Sequence, residues 1–366
     1  MKSISPKEPA ISSVTTGIRQ SNIELLRILA MFLVLVIHAI MNCGGITADN
    51  FGSNPANAIT RTVIHALSAV CVNVFILISG WFGIKSSLKG FLKFAFQCLY
   101  FSFGIYLFMI ATGNAHLSVD GIRTCLFLKP PHYWFIPAYV ALYILSPILN
   151  SFIDKASKTT LRNTLVAFFV FQTIWGWTGA AQFIEFGYSS FSFIGLYLLA
   201  RYLRLYPCKR LASWGGTIYI ASVLINSVCF YIIKRLGSNL DVFCYINPLV
   251  IIGAAALLVY FDSLPIGHNK TINWISRSAF SAYLYHGHPM INDLVFFNII
   301  SYIYNGYSGI SCITLIFAVL TGVFMSAVII DQPRIWLWNK ISPLLRGGGV
   351  NASYQASYRS FKYQFN

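Results

Sequence analysis

Charged side chains are scarce in this chain. They make up 10% of its 366 residues, and only 10 residues are Asp or Glu, whereas soluble domains carry about 25% charged residues. Hydrophobic residues make up 57%, aromatic residues 16%, and the mean hydropathy is +0.66. This composition excludes an ordinary soluble domain and indicates an integral membrane protein.

Paired cysteines, internal repeats and a soluble domain are also lacking. The eight cysteines are scattered without the short paired spacing of metal or redox sites, so we expect no metal. We expect no cleavable signal peptide, because the first apolar run follows about 22 polar residues and is long enough to span a membrane.

Long apolar runs recur along nearly the whole chain. Runs of about 17 to 22 residues suit a hydrocarbon core roughly 30 Å thick, whereas β-barrel strands are about ten residues of alternating character. The sequence therefore predicts an all-α fold, a polytopic membrane bundle of about ten transmembrane helices. The predicted spans are 23–42, 63–83, 92–112, 133–150, 164–179, 190–207, 215–234, 246–262, 279–300 and 311–331.

The distribution of Lys and Arg predicts the orientation. With a cytoplasmic N-terminus, the outside segments hold only five of the 26 basic residues, namely Arg61, Arg123, Lys129, Lys234 and Arg235. This bias predicts that both termini are cytoplasmic, and it explains the net charge of +16 without a nucleic-acid partner. We divide the chain into a cytoplasmic N-terminal segment (1–20), a transmembrane domain (21–340) and a cytoplasmic tail (341–366) whose composition predicts disorder.

Ionisable residues within the predicted spans are the main functional signal, because they normally face a bundle interior or a watery cavity. Those in spans or at their edges are His38, Arg61, His65, His286, His288 and Asp293. In "RILAMFLVLVIH", Arg27 and His38 are eleven residues apart, which places them on one helical face about 16 Å apart. Alternatively, Arg27 is a positive-inside anchor, and Arg61 and His65 are interfacial residues.

The spacing of Arg27, ten residues and His38 in the first span, preceded by "SNIELL", resembles the opening helix of the membrane acyltransferase 3 family, the O-acyltransferases that modify bacterial polysaccharides. Four later stretches resemble motifs of this family in the same order. They are "VNVFILISGWF" (Val72 to Phe82), "HYWFIPAYVALYILSPILN" (His132 to Asn150), "YINPLVIIGAAALLVYF" (Tyr245 to Phe261) and "ISRSAFSAYLYHGHPMI" (Ile275 to Ile291).

The resemblance implies a multi-pass protein of the bacterial cytoplasmic (inner) membrane. Its reaction would transfer an acyl group, usually acetyl, from cytoplasmic acetyl-CoA to a hydroxyl of a glycan or lipid-linked saccharide. Some family members carry a second, extracytoplasmic hydrolase-like domain, for which we find no room here. The resemblance therefore implies that the bundle completes the transfer or that a separate extracytoplasmic transferase partner does so.

Three residues are predicted to carry the chemistry. A sugar hydroxyl must lose its proton as it attacks a thioester, so a general base with a pKa near 7 is needed, and His38 is the candidate. Ser79 is a candidate donor to the thioester oxygen, although Ser-Gly is also a common packing motif in membrane helices. The resemblance marks His286 as the late histidine of the family, with a catalytic or a pocket-orienting role.

The phosphates of the acyl donor need cations at the cytoplasmic face. Arg27 is predicted to hold a CoA phosphate there while the thioester reaches His38. Lys85, Lys89 and Lys93 share one helical face and are additional candidates, or else they form a positive-inside rim. Some family members have an Arg-x-x-Arg pair after the Ser-Gly motif, and the lysines here lack its planar fork.

Aromatic residues are candidate substrate contacts. Trp134 and Tyr139 in the fourth span can stack on a sugar or an acyl chain, and Tyr283 precedes the late histidine. Alternatively, such aromatics belong to the belt at the membrane boundary. The Gly287–Pro289 region predicts a kink in the ninth span, where freed backbone groups can line a cavity.

Two other functions are compatible with a bundle of this kind. A proton-coupled transporter or flippase of lipid-linked saccharides would use intramembrane histidines, but carboxylates are scarce, with Asp293 the main candidate. A polysaccharide polymerase or ligase would have a large outside loop, whereas the longest predicted here is about 20 residues.

Overall fold

A computed structural model describes residues 19–41, 43, 45–128 and 133–344. Most of the predicted N-terminal segment (1–20) and of the predicted tail (341–366) lies outside the described residues. Within them the chain is helical and contains no strand. The helices are α1 (Ser21–Met41), α2 (Asn50–Ser53), α3 (Pro55–Ser68), α4 (Cys71–Phe82), α5 (Leu88–Ala111), α6 (Val119–Cys125), α7 (Phe135–Lys155), α8 (Lys158–Trp177), α9 (Ser190–Leu205), α10 (Lys209–Arg235), α11 (Pro248–Ser263), α12 (Lys270–Ser276), α13 (Ala279–His286), α14 (Pro289–Ile291), α15 (Phe297–Gly306) and α16 (Gly309–Ile341).

The predicted all-α class is confirmed, and helices occupy all ten predicted spans. Six helical segments are long and apolar enough to cross a membrane, and α11 is apolar but shorter. The six are Ser21–Met41, Pro55–Phe82, Leu88–Ala111, Phe135–Lys155, Lys209–Arg235 and Gly309–Ile341. The chain is therefore an integral membrane protein, while the count of ten spans and the cytoplasmic termini stay predictions.

Polar caps define where several helices begin. The side chains of Ser87, Ser157 and Ser189 accept backbone hydrogen bonds at the starts of α5, α8 and α9. Asn54 and Asn247 do the same for α3 and α11, each directly before a proline. These caps satisfy backbone N–H groups that have no partner within the helix and that would be costly to leave bare near lipid.

Helix α1 lies at the centre of the packing. It contacts α3, α4, α11, α12, α13 and α16, and its side chains Leu26 and Leu35 are fully buried. Helix α4 packs tightly on α9, because a Cβ added at Gly80 would lie 2.7 Å from the carbonyl oxygen of Tyr197. The glycine of the Ser-Gly motif therefore has a packing role, which allows two backbones to approach closely.

The ninth predicted span is broken, as expected from its sequence. Helix α13 ends at His286, Gly287 follows, and His288 caps α14, which begins at Pro289. A π-helical turn over Asn292–Phe296 then leads into α15. The end of α13 is thereby turned into the bundle, where it meets α1.

Candidate active site

One face of α1 points into a small cavity between α1, α4, α7 and α13. Met31, Val34 and His38 line this cavity, which measures about 30 Å³. Arg27 continues the same stripe one turn towards the start of the helix, because positions spaced three and four apart share a face. Arg27, Met31, Val34 and His38 thus share one face of α1, and all of them except Arg27 line the cavity.

The cavity brings His38 together with two of the predicted substrate-binding residues. Trp134 and Tyr283 both line it, along with Phe75, Phe135 and Phe280, so its wall is largely aromatic. The ring of Phe135 stands edge-on to Tyr283, with centroids 5.9 Å apart. Such a wall shields the imidazole from bulk water, and it presents aromatic faces to the small space beside it.

His38 and His286 form a direct pair at this cavity. His38 Nδ1 lies 2.7 Å from His286 Nε2, although the two residues are 248 positions apart in the chain. His286 is fully buried, whereas His38 is partly exposed towards the cavity. The sequence predicts each histidine as a separate candidate, and it does not predict their contact.

The hydrogen-bond partners assign the ring protons of this pair. His286 Nδ1 lies against the carbonyl oxygen of Ala282, which can only accept, so Nδ1 must carry a proton. With both rings neutral, His286 Nε2 is an acceptor, and His38 Nδ1 donates to it. His38 Nε2 is then left with a lone pair that can accept a proton from a third group.

Ser79 does not line the cavity. It lies one turn below Phe75 on α4, and its hydroxyl donates to the carbonyl oxygen of Phe75 at 3.2 Å. Its side-chain neighbour is the hydroxyl of Tyr139, which stacks on Phe135 through its ring. Ser79 and Tyr139 thus form a second polar point in the interior, displaced from His38 towards the start of α1.

Aromatic rings connect these two points. Phe94 of α5 lies between Tyr139, at 5.3 Å, and Phe280, at 5.6 Å between ring centroids. Phe280 itself lines the cavity with His38. The interior between α1, α4, α5, α7 and α13 is therefore lined by aromatic side chains from the histidine pair down to Tyr139.

A basic cluster lies at the end of the bundle where α1 begins and α16 ends. Electrostatic interactions within the described residues connect its members, which are Arg19, Arg27, Lys93, Arg277 and Arg334, with Glu24 and Asp331 as the acids among them. Burial lowers the pKa of Arg19, Glu24 raises it, and the positive charges of Arg27 and Arg277 lower it further. Excess positive charge in a partly buried site favours an anion such as a phosphate.

Arg27 has a partner that the sequence analysis did not identify. The carboxylate of Glu24 lies 3.2 Å from Arg27 Nε and 3.4 Å from Arg19 Nη1, and Glu24 is buried. The signal was present in "SNIELLR", because residues three apart on a helix are neighbours. Arg27 is therefore held in place by Glu24, and about 30% of its side chain is exposed.

The three lysines predicted as donor contacts separate into two groups. Lys93 interacts with Arg19, Arg277 and Arg334 and so belongs to the basic cluster. Lys85 and Lys89 are exposed, as is Lys93 in part, but neither is among the charged groups that act on Arg19 or Lys93. Of the three lysines, Lys93 is therefore the one that we assign to the basic cluster.

The buried carboxylates do not include Asp293, the carboxylate that the sequence predicts within the spans. Asp293 is exposed on the π-helical turn, whereas Glu24 and Asp331 are buried. Asp331 accepts two hydrogen bonds from Arg334, at 2.6 and 2.8 Å, and one from Ser278 at 2.7 Å. Both oxygens of Asp331 accept hydrogen bonds, and the one from Ser278 joins the ion pair of α16 to the start of α13.

Two tyrosines complete the site at the opposite end of the cavity from the basic cluster. Trp134 contacts Tyr188, with centroids 4.6 Å apart, and stacks on Tyr245 at 6.1 Å. Both tyrosines come from segments between helices, which carry no periodic signal, so the sequence does not predict them as site residues.

His65 and Arg61 lie outside this site. His65 lies against Phe243, with ring centroids 4.3 Å apart, and Arg61 donates a hydrogen bond to Tyr304.

This arrangement defines a class of protein, a multi-span membrane enzyme with an intramembrane histidine pair between an aromatic pocket and a basic cluster. Among the described residues, no three His, Cys, Asp or Glu side chains are grouped to hold a metal ion. The family model of the acyltransferase 3 family, an acyltransferase domain, matches residues 20–331, and the chain belongs to this family.

The protein is therefore a membrane acyltransferase, and the resemblance drawn from the motifs is confirmed. Neither the curated proteins nor the solved structures contain a significant match to the chain. The match extends from just before α1 into α16, so all the residues of the histidine pair, the cavity and most of the basic cluster lie within it. Transport and glycan polymerisation are not the activities of this family, and we set them aside.

Proposed function

We propose that this acyltransferase moves an acetyl group from acetyl-CoA to a sugar hydroxyl of a cell-surface or lipid-linked glycan, in the cytoplasmic membrane of a bacterium. The observation that carries the proposal is the histidine pair, whose exposed nitrogen faces a cavity lined by aromatic side chains. A sugar ring stacks well on such surfaces, and Trp134, Tyr188 and Tyr245 provide one beside the cavity.

The donor enters from the end that holds the basic cluster. Arg27, Lys93, Arg19 and Arg277 bind the phosphates of CoA, with Arg27 oriented by Glu24, whereas Arg334 is buried and paired with Asp331. Eleven residues of helix between Arg27 and His38 correspond to about 16 Å, which is comparable with an extended pantetheine arm. The arm then runs past Tyr139 and Ser79, and the thioester lies beside His38. Lys85 and Lys89 attract the donor only as part of the inside surface.

His38 is the general base. As the sugar oxygen attacks the thioester carbon, its proton moves to His38 Nε2, and His286 accepts the hydrogen bond from the opposite side of the charged ring. The carbon–sulfur bond then breaks, and the imidazolium returns the proton to the CoA thiolate. The products are the sugar ester and CoA with a free thiol, so atoms and charges balance.

The developing oxyanion needs a donor within the cavity, and Tyr283 fits better than Ser79. We assign Tyr283 as this donor, with its hydroxyl oxygen turned towards the backbone N–H of Phe135. Tyr283 lines the cavity with His38, whereas the Ser79 hydroxyl is engaged on its own helix. A preorganised donor of this kind contributes roughly 10²- to 10³-fold to the rate.

The decisive experiment measures acetyl transfer by purified protein in lipid nanodiscs. Labelled acetyl-CoA is added with and without glycan acceptors, and CoA release and sugar ester formation are followed separately. We expect both with the wild-type protein, and a rate about 10² to 10⁴ lower with His38→Ala at unchanged thermal stability. Near wild-type transfer by His38→Ala would contradict the role of the base. CoA release without ester formation would indicate a separate extracytoplasmic transferase partner.

A further inference from the structure

A second and much larger cavity lies on the other side of α1, between α1, α3, α15 and α16. Its volume is about 760 Å³, within the range of small-molecule sites. One end is polar and is lined by Asn50, Asn54, Asn57, Arg61, Asn305 and Ser308. The other end is apolar and is lined by Val36, Ile40, Ile313, Ile316, Phe317 and Leu320.

This second cavity is separate from the active site, because α1 forms the wall between them. Its α1 residues are Val36, Ala39 and Ile40. At 100° per residue these positions centre about 150° away from His38 around the helix axis. A molecule bound here therefore lies behind the helix that carries His38, out of contact with the histidine pair.

The polarity of the second cavity changes along its length. The α16 positions that line it run from Gly309 to Leu320, a rise of about 16 Å, and they become apolar after the first turn. A long cavity with a polar mouth and an apolar depth matches the shape of a lipid, with its headgroup at the mouth. It matches a soluble polar ligand poorly, because the polar groups of such a ligand would find no hydrogen-bond partners along the apolar wall.

The polar end is built to receive an anion. Arg61 is the single charged residue among those that line the cavity within the described chain. Its guanidinium is oriented by Tyr304, to which it donates at 3.0 Å, and Tyr304 in turn donates to Asn57 at 3.2 Å. An oriented guanidinium beside amide side chains is a donor set that suits the oxygens of a phosphate.

We propose that this second cavity binds a phospholipid of the surrounding bilayer, with its phosphate at Arg61 and an acyl chain between α1 and α16. A lipid-linked saccharide has a phosphate and an apolar chain too. However, its sugar would have to reach His38, and α1 stands between them. The proposal does not depend on the reaction catalysed at the histidine pair.

The test is to count retained and added phospholipid. Native mass spectrometry of protein purified in mild detergent, followed by titration with dioleoyl phosphatidylglycerol, measures both. We expect one tightly held phospholipid on the wild-type protein and affinity roughly 5- to 150-fold lower with Arg61→Gln. Ile313→Trp, which fills the apolar half, should also lower the affinity. Arg61→Lys should retain more of it than Arg61→Gln.

Arg123→Gln is the matched control, because Arg123 is an exposed arginine on α6 outside the cavity. Size-exclusion profiles and unfolding temperatures identify any variant that fails to fold. Three outcomes would overturn the proposal. They are a protein that retains no lipid, a bound lipid count that neither Arg61→Gln nor Ile313→Trp changes, and a retained lipid that proves to be a lipid-linked saccharide.

Discussion

At the residue scale, the site depends on how one imidazole is held by another. His286 is fixed by the Ala282 carbonyl, a backbone group that cannot reverse its role, and this fixes the direction of the hydrogen bond from His38. In the proposed mechanism, His286 is therefore the acceptor that orients His38 and stabilises its charged form. A backbone carbonyl in this place keeps the relay neutral, whereas a carboxylate would add a buried charge.

Substitution of His286 tests this assignment. His286→Gln retains an oxygen acceptor near the position of Nε2, whereas His286→Leu has no acceptor and leaves His38 Nδ1 without a partner. We expect His286→Leu to lower kcat by about 10²-fold or more and His286→Gln to keep a larger share of it, with similar KM for acetyl-CoA. Equal losses in the two variants would show that only the shape of the ring matters.

At the element scale, helices contribute single positions to the site rather than whole faces. On α5, Lys89 and Lys93 are one turn apart, and it is Lys93 on which the charges of Arg19, Arg277 and Arg334 act. On α1, Arg27 is tied to Glu24, so its removal would also disturb a buried carboxylate. Lys93 is therefore the cleaner probe of donor binding.

Lys93→Gln and Lys89→Gln form a matched pair on α5. We expect Lys93→Gln to weaken acetyl-CoA binding by about 1 to 2 kcal/mol, roughly 5- to 30-fold, because one charge near the phosphates is lost. Lys89→Gln should leave the affinity unchanged. Calorimetric titration of the detergent-solubilised proteins measures both, and an equal effect of the two would assign the lysines to a diffuse inside surface.

Substitutions in the Asp331–Arg334 ion pair test the contact between α16 and the start of α13. Arg334→Met leaves Asp331 buried without its cation, which should lower stability by about 3 to 5 kcal/mol. The double variant Asp331→Leu with Arg334→Met removes both charges and should recover much of that loss. Unfolding midpoints in detergent measure the effect. A double variant as unstable as the single one would contradict this account and indicate that packing dominates.

At the scale of the whole molecule, three features are arranged around α1. The basic cluster lies at the start of α1, the histidine pair lies near its end, and the second cavity lies behind it. The excess of Lys and Arg on one side predicts that the start of α1 faces the cytoplasm, where acetyl-CoA is made available.

Topology reporters test that orientation. A reporter fused after about residue 85 or 205 should be cytoplasmic, and one placed near residue 50 or 120 should be extracytoplasmic. Residue 85 lies between α4 and α5, residue 205 ends α9, and residues 50 and 120 lie in the short helices α2 and α6, so no fusion falls in the middle of a long helix. The reverse pattern would put the basic cluster outside and would contradict entry of the donor from the cytoplasm.

Local patterns were sufficient to predict much of the site. The long apolar runs specify helices, because the hydrocarbon core leaves backbone groups no other partners. The alignment of Arg27 with His38 follows from the turn of a single helix, and Pro289 breaks the ninth span through its missing N–H. Each of these features depends on residues close together in the chain, so sequence alone determines them.

Only the tertiary structure decided which of these residues meet. The contact between His38 and His286, the stack of Trp134 on Tyr245 and the grouping of Lys93 with Arg19 and Arg277 join segments far apart in the chain. The same holds for the two cavities on either side of α1. The rotation and separation of packed helices come from side chains that interdigitate across their interfaces, and no periodicity within one helix encodes them.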